Sequence, residues 1–128
     1  MFLKNLTMIK FKSSNQSKEF LRILRKKRIN NKYFTIFFEK NPKNKNNNKC
    51  LYISFVMKKK IGNAVIRNKI KRKLKAAIQK ITMEKGRINL NYTYVIIGKN
   101  AVYKDKFTSI FKEVSEIFKK INRQIVQT

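Results

Sequence analysis

The side chains best suited to chemistry in this chain are cations gathered in one run, Lys58 to Lys75, KKKIGNAVIRNKIKRKLK. Laid out at about 100° per residue from Ile66, Ile66, Ile70, Leu74, Ala77, Ile78 and Ile81 make one apolar side, at the spacing that packs a helix on a core. Asn68, Lys71, Arg72 and Lys75 fall opposite, with Lys69, Lys73 and Lys80 flanking them. Arg67 sits at the boundary, where its stem can lie on apolar surface while the guanidinium reaches solvent. Like charges at i,i+4 spacing cost helix stability, and a polyanion laid against the face would relieve that cost. The chemistry predicted is phosphate neutralisation.

Bond-breaking chemistry finds little support. There is no His, so neither imidazole acid–base catalysis nor a histidine metal site is available. The acids, Glu19, Glu39, Glu84, Asp105, Glu113 and Glu116, are dispersed over different elements. Two-metal hydrolysis needs converging carboxylates that hold ions about 4 Å apart. If the chain serves phosphodiester hydrolysis, something else must break the bond. The lone Cys50 excludes an internal disulfide and, lying in an apolar run, reads as a small buried side chain in a reducing compartment.

The elements that must position the cations can be read in order. Residues 1–12 read as a basic N-terminal arm, residues 13–123 as a single domain and 124–128 as a short tail. Ser13 to Gln16 offers a capping box before a short helix over Ser17 to Lys27, with Phe20, Ile23 and Leu24 on one face. Tyr33 to Glu39 reads as a strand, the Asn-rich stretch Lys40 to Lys49 as a polar loop, and Cys50 to Met57 as a second strand. The basic helix follows, its start marked by Gly62 and Asn63 and its end by Lys85 and Gly86. Met83 to Asn91 is a connector, and Tyr92 to Ile97 is a continuous apolar run expected of a central strand covered on both faces. A last helix from Asp105 to Arg123 carries Phe107, Ile110, Phe111, Val114, Ile117, Phe118 and Ile121 as a stripe that should cover the sheet. The order is helix, two strands, helix, strand, helix.

Charge agrees with the motif. Among 128 residues, 33 Lys and Arg face 6 Asp and Glu, a net charge of +27 that draws nucleic acid strongly. Its placement on one face says more than the total. The N-terminus lacks a continuous apolar core or a small-residue cleavage site, and no run approaches the roughly 18 apolar residues of a membrane span, which argues for a cytoplasmic protein.

The run quoted above resembles the signature of the bacterial ribonuclease P protein family: a Lys-Lys pair, a short turn, then Arg-Asn-x-x-Lys-Arg opening a helix. Here those positions are Lys59, Lys60, Arg67, Asn68, Lys71 and Arg72. Lys69 stands where the family commonly has Arg and lacks the bidentate fork; Lys58 stands where it often has Ser. Glu19, Phe20 and Leu24, KYFTIF from Lys32, and YVIIGK from Tyr94 extend the likeness over residues 17–121. The resemblance implies an α/β two-layer sandwich (α+β in arrangement) like the second domain of ribosomal protein S5, in the order α-β-β-α-β-α with room for an extra short strand, and a left-handed βαβ crossover.

It also implies a function. The protein would assist the catalytic RNA of ribonuclease P in endonucleolytic removal of the 5′ leader from precursor tRNA, with Mg2+ used by the RNA subunit. No protein partner and no membrane are required. Lys59, Lys60, Arg67, Asn68, Lys69, Lys71, Arg72 and Lys75 would meet RNA. Phe20, Leu24, Tyr33, Thr35 and Phe37 would line a cleft for the single-stranded leader, the three strand residues sharing one face by period-two alternation. Aromatic faces accept unpaired bases, each stack worth about 1–3 kcal/mol. From the residues alone Phe20 and Leu24 read first as core side chains, and Asn68 could either meet RNA or cap the helix start. Two other readings stand beside this one: a ribosomal or general RNA-binding protein without an enzymatic role, and a membrane-active basic peptide, which the packed aromatic strands disfavour.

Overall fold

The structure, a computed structural model, describes residues 10–12, 22–41, 50–84 and 87–127. The capping box, Phe20 and the Asn-rich loop lie outside the described residues. Five strands make one sheet: β1 (Lys10–Lys12), β2 (Lys27–Asn30), β3 (Phe34–Lys40), β4 (Cys50–Val56) and β5 (Tyr92–Gly98), in spatial order β1-β4-β5-β3-β2. β1, β4 and β5 run parallel, and β3 is antiparallel to both β5 and β2. A 3-10 turn (Lys59–Ile61) and α1 (Ala64–Thr82) carry the chain from β4 to its neighbour β5. A single turn of helix, α2 (Ala101–Lys104), then leads into α3 (Phe107–Gln127).

Alternation along the strands decides what faces the helices. Phe34, Ile36 and Phe38 of β3, Leu51 and Ile53 of β4, and Tyr94 and Ile96 of β5 enter the main core. They meet Ile70, Leu74, Ala77, Ile78 and Ile81 of α1 and Ile110, Val114, Ile117, Phe118 and Ile121 of α3. Both predicted helical stripes are therefore the buried faces, and each large aliphatic side chain so buried contributes about 1.5–3 kcal/mol. Tyr94 stands edge-on to Phe118 at 5.4 Å and donates its hydroxyl to the Asn89 carbonyl at 2.8 Å. Burial pushes that phenol far above its ordinary range. β5 is central and covered on both faces, since Tyr94, Val95 and Ile96 are all fully buried. At its end Met57 and α1 approach so closely that a Cβ on Gly98 would lie 2.6 Å from the Met57 sulfur and 3.0 Å from Ile70.

Three boundaries differ from the sequence expectation. The helix predicted to reach Lys27 stops earlier: Arg22 and Ile23 are helical, tight turns from Arg25 to Arg22 and from Lys26 to Ile23 close it, and Lys27 already begins β2. The KRIN segment carries no helical stripe, and its edge position supplies pairing through Thr35–Phe38 instead of burial. Lys10–Lys12, read as arm, pair in parallel with Cys50–Tyr52. The last helix is preceded by α2, with Asp105 in the joint between the two.

Candidate nucleic-acid interface

The cationic helix starts where the backbone requires it. Gly62 adopts φ 158° and ψ −170°, a conformation nearly confined to glycine, and a Cβ there would press on Ile66 at 3.0 Å. Asn63 follows as the N-cap, its Oδ1 accepting from the Ile66 amide at 3.0 Å. Asn63, and not Asn68, therefore caps the helix. Asn68 lies within α1 and is exposed.

From that start the outer face is built. Lys59 and Lys60 stand exposed on the 3-10 turn, and Asn68, Lys69, Lys71, Arg72 and Lys75 are exposed on α1. Arg67 is half-buried, as its boundary position predicts, with Nε 3.5 Å from the Asn63 carbonyl. The first turn of α1 holds no acidic residue, so the positive end of the helix dipole adds to these charges. Acids are committed elsewhere: Glu39 to Arg22 at 3.1 Å and Lys26 at 3.8 Å, Asp105 to Lys32 at 2.9 Å, Glu116 to Lys119 at 3.5 Å, and Glu84 to Arg87. Among the described residues Lys59, Lys60, Lys71 and Arg72 form no ion pair, and their positive potential is open to solvent.

Lys73 behaves differently. Its ammonium donates to the carbonyl oxygens of Val102, Tyr103 and Asp105 at 3.1, 3.2 and 3.1 Å, gathering the peptide groups at the joint of α2 and α3. Beside it Asp105 accepts from the Tyr33 hydroxyl at 2.5 Å and pairs with Lys32. The hydrogen bonds from Tyr33 and then Lys32 hold the Asp105 carboxyl below its usual value, and the same bond raises the Tyr33 phenol. Neither role was visible in the sequence, where Lys73 is one more cation; the available signal was its place beside the apolar stripe, one position short of Leu74.

The opposite face of the sheet carries the second candidate region. Phe37, Val95 and Ile23 form a small buried cluster, with Leu24, Val56 and Ile97 half-buried around it. Phe37 is 5% exposed, so it supports the surface from beneath. Thr35 stands beside it and donates to Asn30 Oδ1 at 2.7 Å. Lys99, at the end of β5, reaches the Asn31 carbonyl at 2.6 Å and the Asn30 side chain. Tyr33 does not join this face. Asn31 Oδ1 accepts from the Tyr33 and Phe34 amides, a turn that ends the alternation before the strand begins, and the Tyr33 ring enters the main core on the helix side. The expectation that Tyr33 lines a cleft with Thr35 and Phe37 is corrected accordingly.

Among the described residues no three His, Cys, Asp or Glu side chains converge to hold a metal ion, and no helix is long and apolar enough to cross a membrane.

Comparison with known proteins bears on this arrangement. A family model described as Ribonuclease P matches residues 8–122. A ribonuclease P protein component from Carboxydothermus hydrogenoformans is 33% identical over 76% of this chain and 78% of its own length. One from Mycoplasma mycoides is 31% identical over 93% of this chain and 99% of its own length. The solved RNase P protein from Thermotoga maritima superposes with a TM-score of 0.65 at 25% identity, covering 80% of this chain and 91% of that one. The Staphylococcus aureus RNase P protein gives a TM-score of 0.67 at 23% identity, covering 85% and 94%, which speaks for the fold.

Proposed function

The chain belongs to the ribonuclease P protein family, and from that premise we propose that its helix and its open sheet face divide the handling of two RNAs. It is an accessory protein subunit of ribonuclease P in tRNA 5′ maturation, with ribonuclease P RNA and precursor tRNA as partners. Bond cleavage belongs to the RNA subunit.

In the proposed division Lys59, Lys60, Arg67, Asn68, Lys69, Lys71, Arg72 and Lys75 meet the ribonuclease P RNA. Arginine can grip phosphate through its two-pronged guanidinium and lysine acts as a point charge. Neutralising phosphates releases condensed counterions, so affinity falls steeply with salt. The leader of precursor tRNA crosses the sheet face over Phe37, beside Leu24 and Thr35, with Phe20 of the preceding segment added to that cleft. By lowering repulsion between two RNAs the protein favours the divalent ions, Mg2+ first, that the RNA uses. The folded unit is one domain, and the cytoplasm is the compartment that suits its substrate.

One observation carries this reading: among the described residues Lys59, Lys60, Lys71 and Arg72 have no acidic partner, while Glu39, Glu84, Asp105 and Glu116 are paired elsewhere. The experiment mixes the purified chain with a bacterial ribonuclease P RNA and leader-bearing precursor tRNA at low magnesium. Stimulated appearance of mature 5′ ends is expected. RNA binding without stimulation would instead point to a general RNA-binding protein.

A further inference from the structure

Three large apolar or aromatic side chains stand out as exposed among the described residues: Val65, Met83 and Tyr103. Tyr103 differs from the other two in its surroundings. It lies on α2, a single helical turn pressed against α1, and its Lys69 neighbour places an ammonium 5.8 Å from the ring centroid. Lys69 is on the exposed side of α1, one turn before Arg72, so the ring stands at the border of the cationic face.

The backbone that carries the ring is held in place. Val102, the preceding residue, is fully buried in the main core. The Tyr103 amide donates to the Asn100 carbonyl at 3.0 Å, and the Lys73 ammonium grips both the Val102 and Tyr103 carbonyls. An aromatic side chain fixed at its backbone loses little freedom on binding, and that lowers the cost of using it as a contact. Yet the residue remains 38% exposed.

We propose that Tyr103, with Lys69 beside it, is a stacking platform for an unpaired base of the RNA that lies along α1. The partner follows from charge: a base brought to this ring carries its phosphates past Lys69, Arg72 and Lys104, whereas an acidic peptide would offer no planar π-face to stack. Stacking accepts any base, so the platform anchors a single-stranded position without reading sequence. The inference rests on the assignment of α1 to the RNA subunit.

The chain contains no Trp, so Tyr103→Trp installs a unique fluorescent reporter on the platform itself. Titrated with a bacterial ribonuclease P RNA, its emission is expected to be quenched by base stacking, while Met83→Trp, at the far end of α1, keeps its emission. Tyr103→Ala should weaken RNA binding about 5- to 100-fold and leave the slope of log affinity against log salt unchanged, because no phosphate contact is lost; Tyr103→Phe should bind as the parent chain does. Parent-like binding by Tyr103→Ala, an unquenched Tyr103→Trp at saturating RNA, or equal quenching at positions 83 and 103 would each overturn the platform. Lys71→Ala with Arg72→Ala separates the two levels. If that pair lowers both affinity and salt slope while the Tyr103 variants are silent, only the platform falls; if the pair is silent too, the assignment of α1 falls with it.

Discussion

Lysines on α1 do opposite work a few residues apart. On the outer face Lys71 is exposed and pairs with no acid among the described residues, so its charge is available to a partner. At the joint, Lys73 spends its charge on three backbone carbonyls. Both are one residue type in one helix. What separates them is the angle around the helix and the acceptors the fold brings to it. Net charge therefore overstates how much of a basic protein is available to bind RNA, and the hydrogen-bond partners of each cation tell which charges count.

Breaking the joint should have the larger effect. Lys73→Met keeps much of the stem but removes the ammonium from the Val102, Tyr103 and Asp105 carbonyls. Hydrogen bonds from a charged donor make this cost about 2–3 kcal/mol of stability, a Tm lower by roughly 10 °C. Intrinsic RNA affinity, measured where the variant is folded, should fall by less than Tyr103→Ala lowers it, through the loosened Tyr103 backbone alone. A large affinity loss at full stability would move Lys73 to the binding face.

The outer face should respond the other way. Lys71→Ala with Arg72→Ala should leave stability within about 0.5 kcal/mol, or raise it slightly as like-charge repulsion is relieved. Binding to ribonuclease P RNA should weaken by about 2 kcal/mol, roughly thirtyfold. The salt slope should fall by about 1.4–1.8, the contribution of two phosphates on single-stranded or duplex geometry. Titrations across a salt series measure both quantities. An unchanged slope would mean that these cations touch no phosphate.

This contrast also marks what the sequence could reveal. Both helical stripes were legible because an apolar period of 3.6 admits one buried face, and β5 was legible because only a strand covered on both sides tolerates YVII. Arg67 at the boundary and Lys71 and Arg72 outside follow from the same wheel. Tyr33 was misplaced because alternation was extended one residue beyond the strand, into a turn fixed by the Asn31 side chain. β2 was hidden because an edge strand is held by backbone pairing to β3 and needs no apolar pattern. The role of Lys73 depends on carbonyls some 30 residues further along the chain, and no local pattern carries that information.

Acidity offers the gentlest way to sharpen the comparison, because it acts on the joint and spares the outer face. Asp105 is held below the ordinary aspartate value of 3.8, first by the Tyr33 hydroxyl and then by Lys32. A carboxyl lowered in the folded state contributes stability that is fully present above its unfolded pKa and is lost as pH falls through the folded one. The loss therefore belongs below about pH 4, and near neutrality the joint is intact. The run from Lys58 to Met83, which builds the outer face, contains no carboxylate of its own. Thermal melts from pH 7 down to pH 2 should show the parent chain losing more stability below pH 4 than Asp105→Asn, which lacks the titrating group but retains an acceptor for the Tyr33 hydroxyl. Lys71→Ala with Arg72→Ala should follow the parent curve in shape. Parallel acid limbs for the parent and Asp105→Asn would show that the carboxylate at the joint carries no net stabilisation, and the distinction between a spent and an available lysine would then rest on Lys73 alone.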